Sequence, residues 1–172
     1  MQATLRVRRF DPEEPSAESR FEEFTLEVEE IATVLDAVIK IHDEIDGTMA
    51  VRFSCRSSIC GSCALRINGR ARLGCKTRIK QVAPNGETVT VEPVGNMRVI
   101  KDLITDFGSF WEKVRAVHPY LQPEGPEPES EYAASRDEMV HLLDVVSCIM
   151  CGCCVSDCTV LEVDPNFLGP AA

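Results

Sequence analysis

The 172-residue chain carries 18 basic against 28 acidic side chains, a formal net charge of −10, and 44% hydrophobic residues. That supports one folded domain or two small ones, sets the chain apart from disordered sequences, and excludes nucleic acid as a partner. Its nine cysteines sit in two clusters, 55–75 and 148–158, unlike the scattered bridges of a secreted scaffold, and no apolar run of about 18 residues is present to span a membrane.

Residues 4–10 and 24–28 alternate as strands, with Leu5, Val7 and Arg9 on one side of the first and Phe24, Leu26 and Val28 on one side of the second. The polar stretch 11–20, with Pro12 and Pro15, joins them. Arg8-Arg9-Phe10 is followed by Asp-Pro-Glu-Glu-Pro rather than by an apolar segment, so it is not read as a twin-arginine export signal, and a cytosolic chain is expected. Thr33 is placed to cap a helix running to Ile45, with Leu35, Val38, Ile39 and Ile41 at helical spacing and Asp46-Gly47 as its stop. His42 on this helix reads as an ordinary boundary histidine.

Cys55, Cys60 and Cys63 then fall at C-x4-C-x2-C, the spacing with which a plant-type ferredoxin loop wraps one side of a [2Fe–2S] cluster. Each tetrahedral iron shares the bridging sulfides and takes two protein thiolates, so a fourth ligand is required, and Cys75 supplies it. Gly61 and Ser57, Ser58 and Ser62 are small enough for backbone N–H groups to approach the sulfurs closely. Structural zinc, the rival, favours two separate cysteine knuckles, whereas here the two gaps share Cys60.

Asn68-Gly69 between 64–67 and 71–73 signals a hairpin, Pro84-Asn85-Gly86 a turn, and 88–92 a closing strand. Val99, Ile100, Leu103, Ile104, Phe107, Phe110, Trp111, Val114 and Val117 trace a helical face over 98–117, on which Trp111 reads as core. Residues 119–131, with four prolines and four glutamates, read as a solvated connector, and 136–147 as a second amphipathic helix through Met139, Leu142, Leu143 and Val146. The three units are therefore 1–95, 96–135 and 136–172.

Cys148, Cys151, Cys154 and Cys158 follow at C-x2-C-x2-C-x3-C. In this run the first three cysteines hold one [4Fe–4S] cluster and the fourth ligates a different one. Cys153 reads as a non-ligating thiol. Thr159 stands where proline usually ends the run, and the chain stops at Ala172 before a second run that would complete the site, as expected of a fragment or a shortened gene. One cluster on all four cysteines is the less usual geometry.

With both runs in place, the chain resembles the iron–sulfur subunits of succinate dehydrogenase and fumarate reductase. The resemblance rests on Arg9-Phe10-Asp-Pro, Ser54-Cys55-Arg56, Ile59-Cys60-Gly61-Ser62-Cys63, Gly74-Cys75-Lys76-Thr77, Val99-Ile100-Lys-Asp-Leu103, Pro119-Tyr120-Leu121, Cys148-Ile-Met-Cys151 and Leu168-Gly169-Pro170-Ala171. It implies an α+β architecture: an N-terminal β-grasp [2Fe–2S] ferredoxin-like domain, then a helical ferredoxin-like domain, incomplete here. It further implies [2Fe–2S], [4Fe–4S] and [3Fe–4S] clusters in line. Cys55, Cys60, Cys63 and Cys75 would hold the first, Cys148, Cys151 and Cys154 the second, and Cys158 one position of the third. Electrons would pass between the flavin of an FAD-containing flavoprotein and a quinone at membrane anchor subunits, peripherally on the cytoplasmic side of the inner or plasma membrane. Leu161-Glu162-Val163 replace a tryptophan pair of many ubiquinone-linked relatives, so no quinone residue is assigned. Nothing in the chain pairs a nucleophile with a base, so its expected role is non-catalytic. The rival readings are an iron–sulfur subunit of another flavin-linked oxidoreductase and a free-standing ferredoxin-like carrier.

Overall fold

The computed structural model describes residues 1–14, 18–120, 122 and 125–172. Pro15 of the first loop, and Leu121, Pro123 and Glu124 of the connector, lie outside the described residues.

Strand β1 (Gln2–Arg9) alternates, burying Ala3, Leu5, Val7 and Arg9 on one face. It pairs antiparallel with β2 (Arg20–Glu27), from Gln2↔Glu27 to Arg9↔Arg20. The second strand begins earlier than its apolar alternation indicates, because its charged N-terminal half is an edge that needs only backbone partners and surface contacts such as Arg6 over the Phe21 ring. Helix α1 (Val34–Glu44) opens on a capping box in which the Thr33 hydroxyl accepts from the Asp36 N–H and the Asp36 carboxylate accepts from the Thr33 N–H. It buries Val34, Leu35, Ala37, Val38, Ile39 and Ile41.

The chain then runs without regular structure to β3 (Ala64–Ile67), which turns at Asn68-Gly69 into β4 (Arg70–Leu73). Both turn residues have positive φ, as this short hairpin demands. A single-turn helix α2 (Ile79–Val82) leads to β5 (Val89–Glu92), which lies parallel to β1 and antiparallel to β3. The order β2-β1-β5-β3-β4 is a mixed five-stranded sheet. One core joins α1 to the sheet through Leu5, Val7, Val34, Val38, Ile41, Ile67, Val89 and Val91. This is an α+β, β-grasp ferredoxin-like fold.

The expected helix over 98–117 is corrected. Strands β6 (Val99–Lys101) and β7 (Ile104–Thr105) form a small hairpin, and only α3 (Gly108–Ala116) is helical. The reason is Asp102. Its φ is +44 and its side chain is 1% exposed. Its carboxylate accepts from Arg9 Nε at 3.0 Å, from the Phe10 N–H at 2.9 Å and from the Ala50 N–H at 2.9 Å. Three distant donors converging on one carboxylate outweigh the local apolar period. Arg9 itself is 5% exposed and also meets Glu22, Asp46 and Thr48, so the β1 face that buries Leu5 and Val7 ends on a buried ion-pair hub.

Helix α4 (Arg136–Val146) forms as its spacing predicts, capped by Ser135 and Glu138. Its apolar positions Met139, Leu142, Leu143 and Val146 are all exposed. Two short helices, α5 (Cys153–Ser156) and α6 (Thr159–Val163), complete the described chain. They pack with α3 around Phe110, Val114, Val155 and Leu161. Among the described residues no helix is long and apolar enough to cross a membrane.

Candidate metal centre

The first cysteine loop is framed by the elements just described. Cys63 enters β3 and is 3% exposed, while Cys75 follows β4. Their segments are tied together by the Gly74 N–H donating to the Cys63 carbonyl at 2.8 Å. The N-terminus of α1 holds the same segment: the Leu35 N–H donates to the Gly74 carbonyl and the Val34 N–H to the Thr77 carbonyl. Helix N-terminal donors that would otherwise lack partners thus fasten the loop bearing Cys75.

Between Cys55 and Cys60 the backbone curls around a sulfur. Cys55 Sγ accepts from the N–H groups of Ser57 at 3.3 Å, Ile59 at 3.4 Å and Cys60 at 3.3 Å. Arg56, Ser58 and Gly61 all adopt positive φ to make the curl. The Ser58 hydroxyl lies 3.7 Å from Cys75 Sγ. The Cys60 thiol is held down to about 6, first by the Ser62 side chain and then by hydrogen bonds from Cys55 and the Ser62 backbone. Burial pushes the Cys63 thiol up to about 11, and Cys75 is its hydrogen-bonding neighbour. Among the described residues no group of three His, Cys, Asp or Glu side chains is arranged around a single ion; the Cys60 thiol has Cys55 as a neighbour, and the Cys63 thiol has both Cys75 and Cys60. Backbone N–H groups trained on sulfur stabilise thiolate and fit an anionic, thiolate-ligated cluster.

In the second run the Cys151 thiol is lowered to about 6 by a hydrogen bond with Cys153, whose own thiol is pushed up by that bond and by burial. The Cys154 thiol is raised first by burial, with the charges of Cys151 and Cys148 adding to the effect. Cys148, Cys151 and Cys154 therefore share one neighbourhood. Cys148 is exposed and its sulfur accepts from the Met150 N–H at 3.4 Å. Cys158 stands elsewhere, at the N-cap of α6, packed beside the Phe110 cluster.

The two runs meet. Arg52, Cys60, Gly61, Ser62, Phe107, Trp111 and Met150 line one shallow recess of about 200 Å³. Trp111 is 40% exposed here and stacks edge-on against Phe110, so it is not the core residue its spacing implies. Sequence spacing could not find this recess, since its residues come from four separate stretches. His42 contacts the Met49 carbonyl from Nδ1 at 2.9 Å and lies 3.9 Å from the Asp43 carboxylate through Nε2.

A β-grasp sheet presenting a C-x4-C-x2-C loop with sulfur-directed N–H groups defines an iron–sulfur protein of the ferredoxin class, and residues 4–112 match the family described as 2Fe-2S iron-sulfur cluster binding domain. The chain is 38% identical over 170 residues to the fumarate reductase iron-sulfur subunit of Mycobacterium tuberculosis, matching 98% of this chain and 68% of that one. It is 34% identical to the mitochondrial succinate dehydrogenase [ubiquinone] iron-sulfur subunit of Candida glabrata (98% of this chain, 67% of that one). To subunit 1 from Oryza sativa the identity is again 34%, and this chain spans 60% of that relative's length. Among solved structures, a chain of the Mycobacterium smegmatis Sdh1 complex in the apo form superimposes with a TM-score of 0.88 at 32% identity, over 99% of this chain and 70% of that one. The chain belongs to the iron–sulfur subunit family of succinate dehydrogenases and fumarate reductases.

Proposed function

We propose that this chain is the electron-transfer subunit of a succinate:quinone oxidoreductase or fumarate reductase, relaying single electrons between the flavin of an FAD-containing partner and a membrane quinone. The observation that carries this reading is the seating of two cysteine runs against one another in a chain that aligns with such subunits over 98% of its length. Cys55, Cys60, Cys63 and Cys75 would hold a [2Fe–2S] cluster, Cys148, Cys151 and Cys154 a [4Fe–4S] cluster, and Cys158 one position of a [3Fe–4S] cluster. Bound clusters supply one-electron storage, which the amino acids lack. The residues hold the thiolates in place. The N–H groups of Ser57, Ile59 and Cys60, aimed at Cys55 Sγ, would raise the reduction potential by stabilising added negative charge. The same reading takes 1–95 as the [2Fe–2S] unit, 96–135 as helix and connector, and 136–172 as the start of the second cluster unit. It places the subunit peripherally, on the cytoplasmic side of the inner or plasma membrane, between flavoprotein and anchor.

The test is reduction by substrate. Combined with its flavoprotein, the chain should show a reduced [2Fe–2S] EPR signal on addition of succinate. A signal produced by dithionite alone, together with recovery from native cells only as a lone chain, would favour the carrier reading instead.

A further inference from the structure

The two cysteine runs touch through backbone, and glycine makes the contact. A Cβ built on Gly61 would fall 2.8 Å from the Ile149 carbonyl oxygen and 2.9 Å from both Cα and Cβ of Cys151. Farther along the same run, at the end of α5, a Cβ on Gly95 would fall 2.9 Å from the Ser156 carbonyl oxygen. Around these two approaches, the Gly95 N–H donates to the Ser156 hydroxyl at 2.8 Å, and Asn96 Nδ2 donates to the carbonyls of Val155 at 2.8 Å and Cys158 at 3.0 Å. The Ala71 N–H of β4 donates to the Asp157 carboxylate at 2.9 Å. Ser156 is 1% exposed.

We propose that Gly61 and Gly95 are positioning residues that seat the 148–158 turn directly on the first cysteine loop and so set the separation of the two metal-binding loops. Its functional weight rests on the electron-relay reading above. Transfer between two centres falls exponentially with their separation, so a turn pushed back by the width of a side chain slows it with every ligand intact. Neither glycine offers a ligand, and the nearest obstacle in each case is backbone, which cannot swing aside as a flexible side chain does.

A rival explanation exists for Gly61, whose φ of +73 alone favours glycine. Gly69 separates the two. Its φ is +76, yet a Cβ there meets nothing within 4 Å, so Gly69→Ala carries the conformational strain without the contact. Gly95 lies outside the left-handed region altogether, so Gly95→Ala carries the contact without the strain.

The experiment is hydrogen exchange on the purified full chain, following the amides of Ser156, Asp157 and Cys158, which donate to carbonyls within the turn. Gly61→Ala and Gly95→Ala should each speed their exchange about tenfold or more, while Gly69→Ala leaves it at the wild-type rate. Should Gly61→Ala fail to fold, Gly95→Ala decides. Unchanged exchange in Gly95→Ala, or equal acceleration by Gly69→Ala, overturns the proposal. In cluster-loaded protein, freeze-quench EPR should show slower electron exchange between centres in Gly95→Ala with both midpoint potentials unmoved; a shifted potential at unchanged rate would also overturn it. Failure to build clusters at all would count against the relay reading, and the exchange rates would still decide the seating.

Discussion

Asp46 shows how one side chain ties the fold to pH. Its carboxyl is lowered from the ordinary 3.8 to about 2, first by the Thr48 hydroxyl and then by Arg9. A depressed carboxyl contributes stability that is fully present above the unfolded value, near pH 4, and is lost as pH falls through about 2. Acid unfolding of the wild type should therefore steepen between about pH 4 and pH 2, and Asp46→Asn should flatten that limb; identical acid profiles would remove Asp46 from the hub. In the sequence Arg9 was the next position on an alternating face and part of the Arg9-Phe10-Asp-Pro stretch, with nothing to mark it as an ion-pair hub. Its partners Asp46 and Asp102 lie 37 and 93 residues away, and no local pattern announces them. Cys153 is a second residue-scale test. Its thiol is half-buried and hydrogen-bonded with Cys151, and it is not assigned as a ligand, so Cys153→Ser should keep the iron and sulfide content of the wild type, and a lost cluster would make it a ligand.

Among the elements, those whose partners are near in sequence were readable. Strand β2 buries Phe24 and Leu26 in the register their alternation predicts, and α1 begins where Thr33 can cap it. Thr33→Ala should cost about 1 kcal/mol of unfolding free energy by removing an acceptor from the first turn. Chemical denaturation checks this, and a loss near zero would mean that the carbonyls of Gly74 and Thr77 hold the helix start alone. The β6–β7 hairpin was not readable, because its apolar residues repeat with a helical period while Asp102 is claimed by β1 and residue 50. Confined to 108–116, the helix is too short to count against a free-standing carrier. What remains against that reading is the second cysteine run and its contact with the first.

For the whole molecule, the two cysteine spacings were legible because each lies within one short run of sequence, whereas the meeting of the two runs was not, because it depends on Gly61, Gly95 and Asn96 closing distances across the fold. Trp111 sits at that meeting beside Cys60 and Met150 and is the chain's single tryptophan. Its emission should be strongly quenched when the first loop is loaded, since iron–sulfur absorption overlaps it and the chromophore would lie within a few side-chain lengths. Emission unchanged on reconstitution would mean that the loop does not load beside Trp111.

The proposed [2Fe–2S] site is formed by Cys55, Cys60, Cys63 and Cys75. It is tested most directly by iron and acid-labile sulfide per chain, with low-temperature EPR, on protein purified without oxygen. At least about two irons and two sulfides, with a reduced [2Fe–2S] signal, is the predicted result. Zinc, or iron without sulfide, would contradict the ligand assignment and the electron relay built on it.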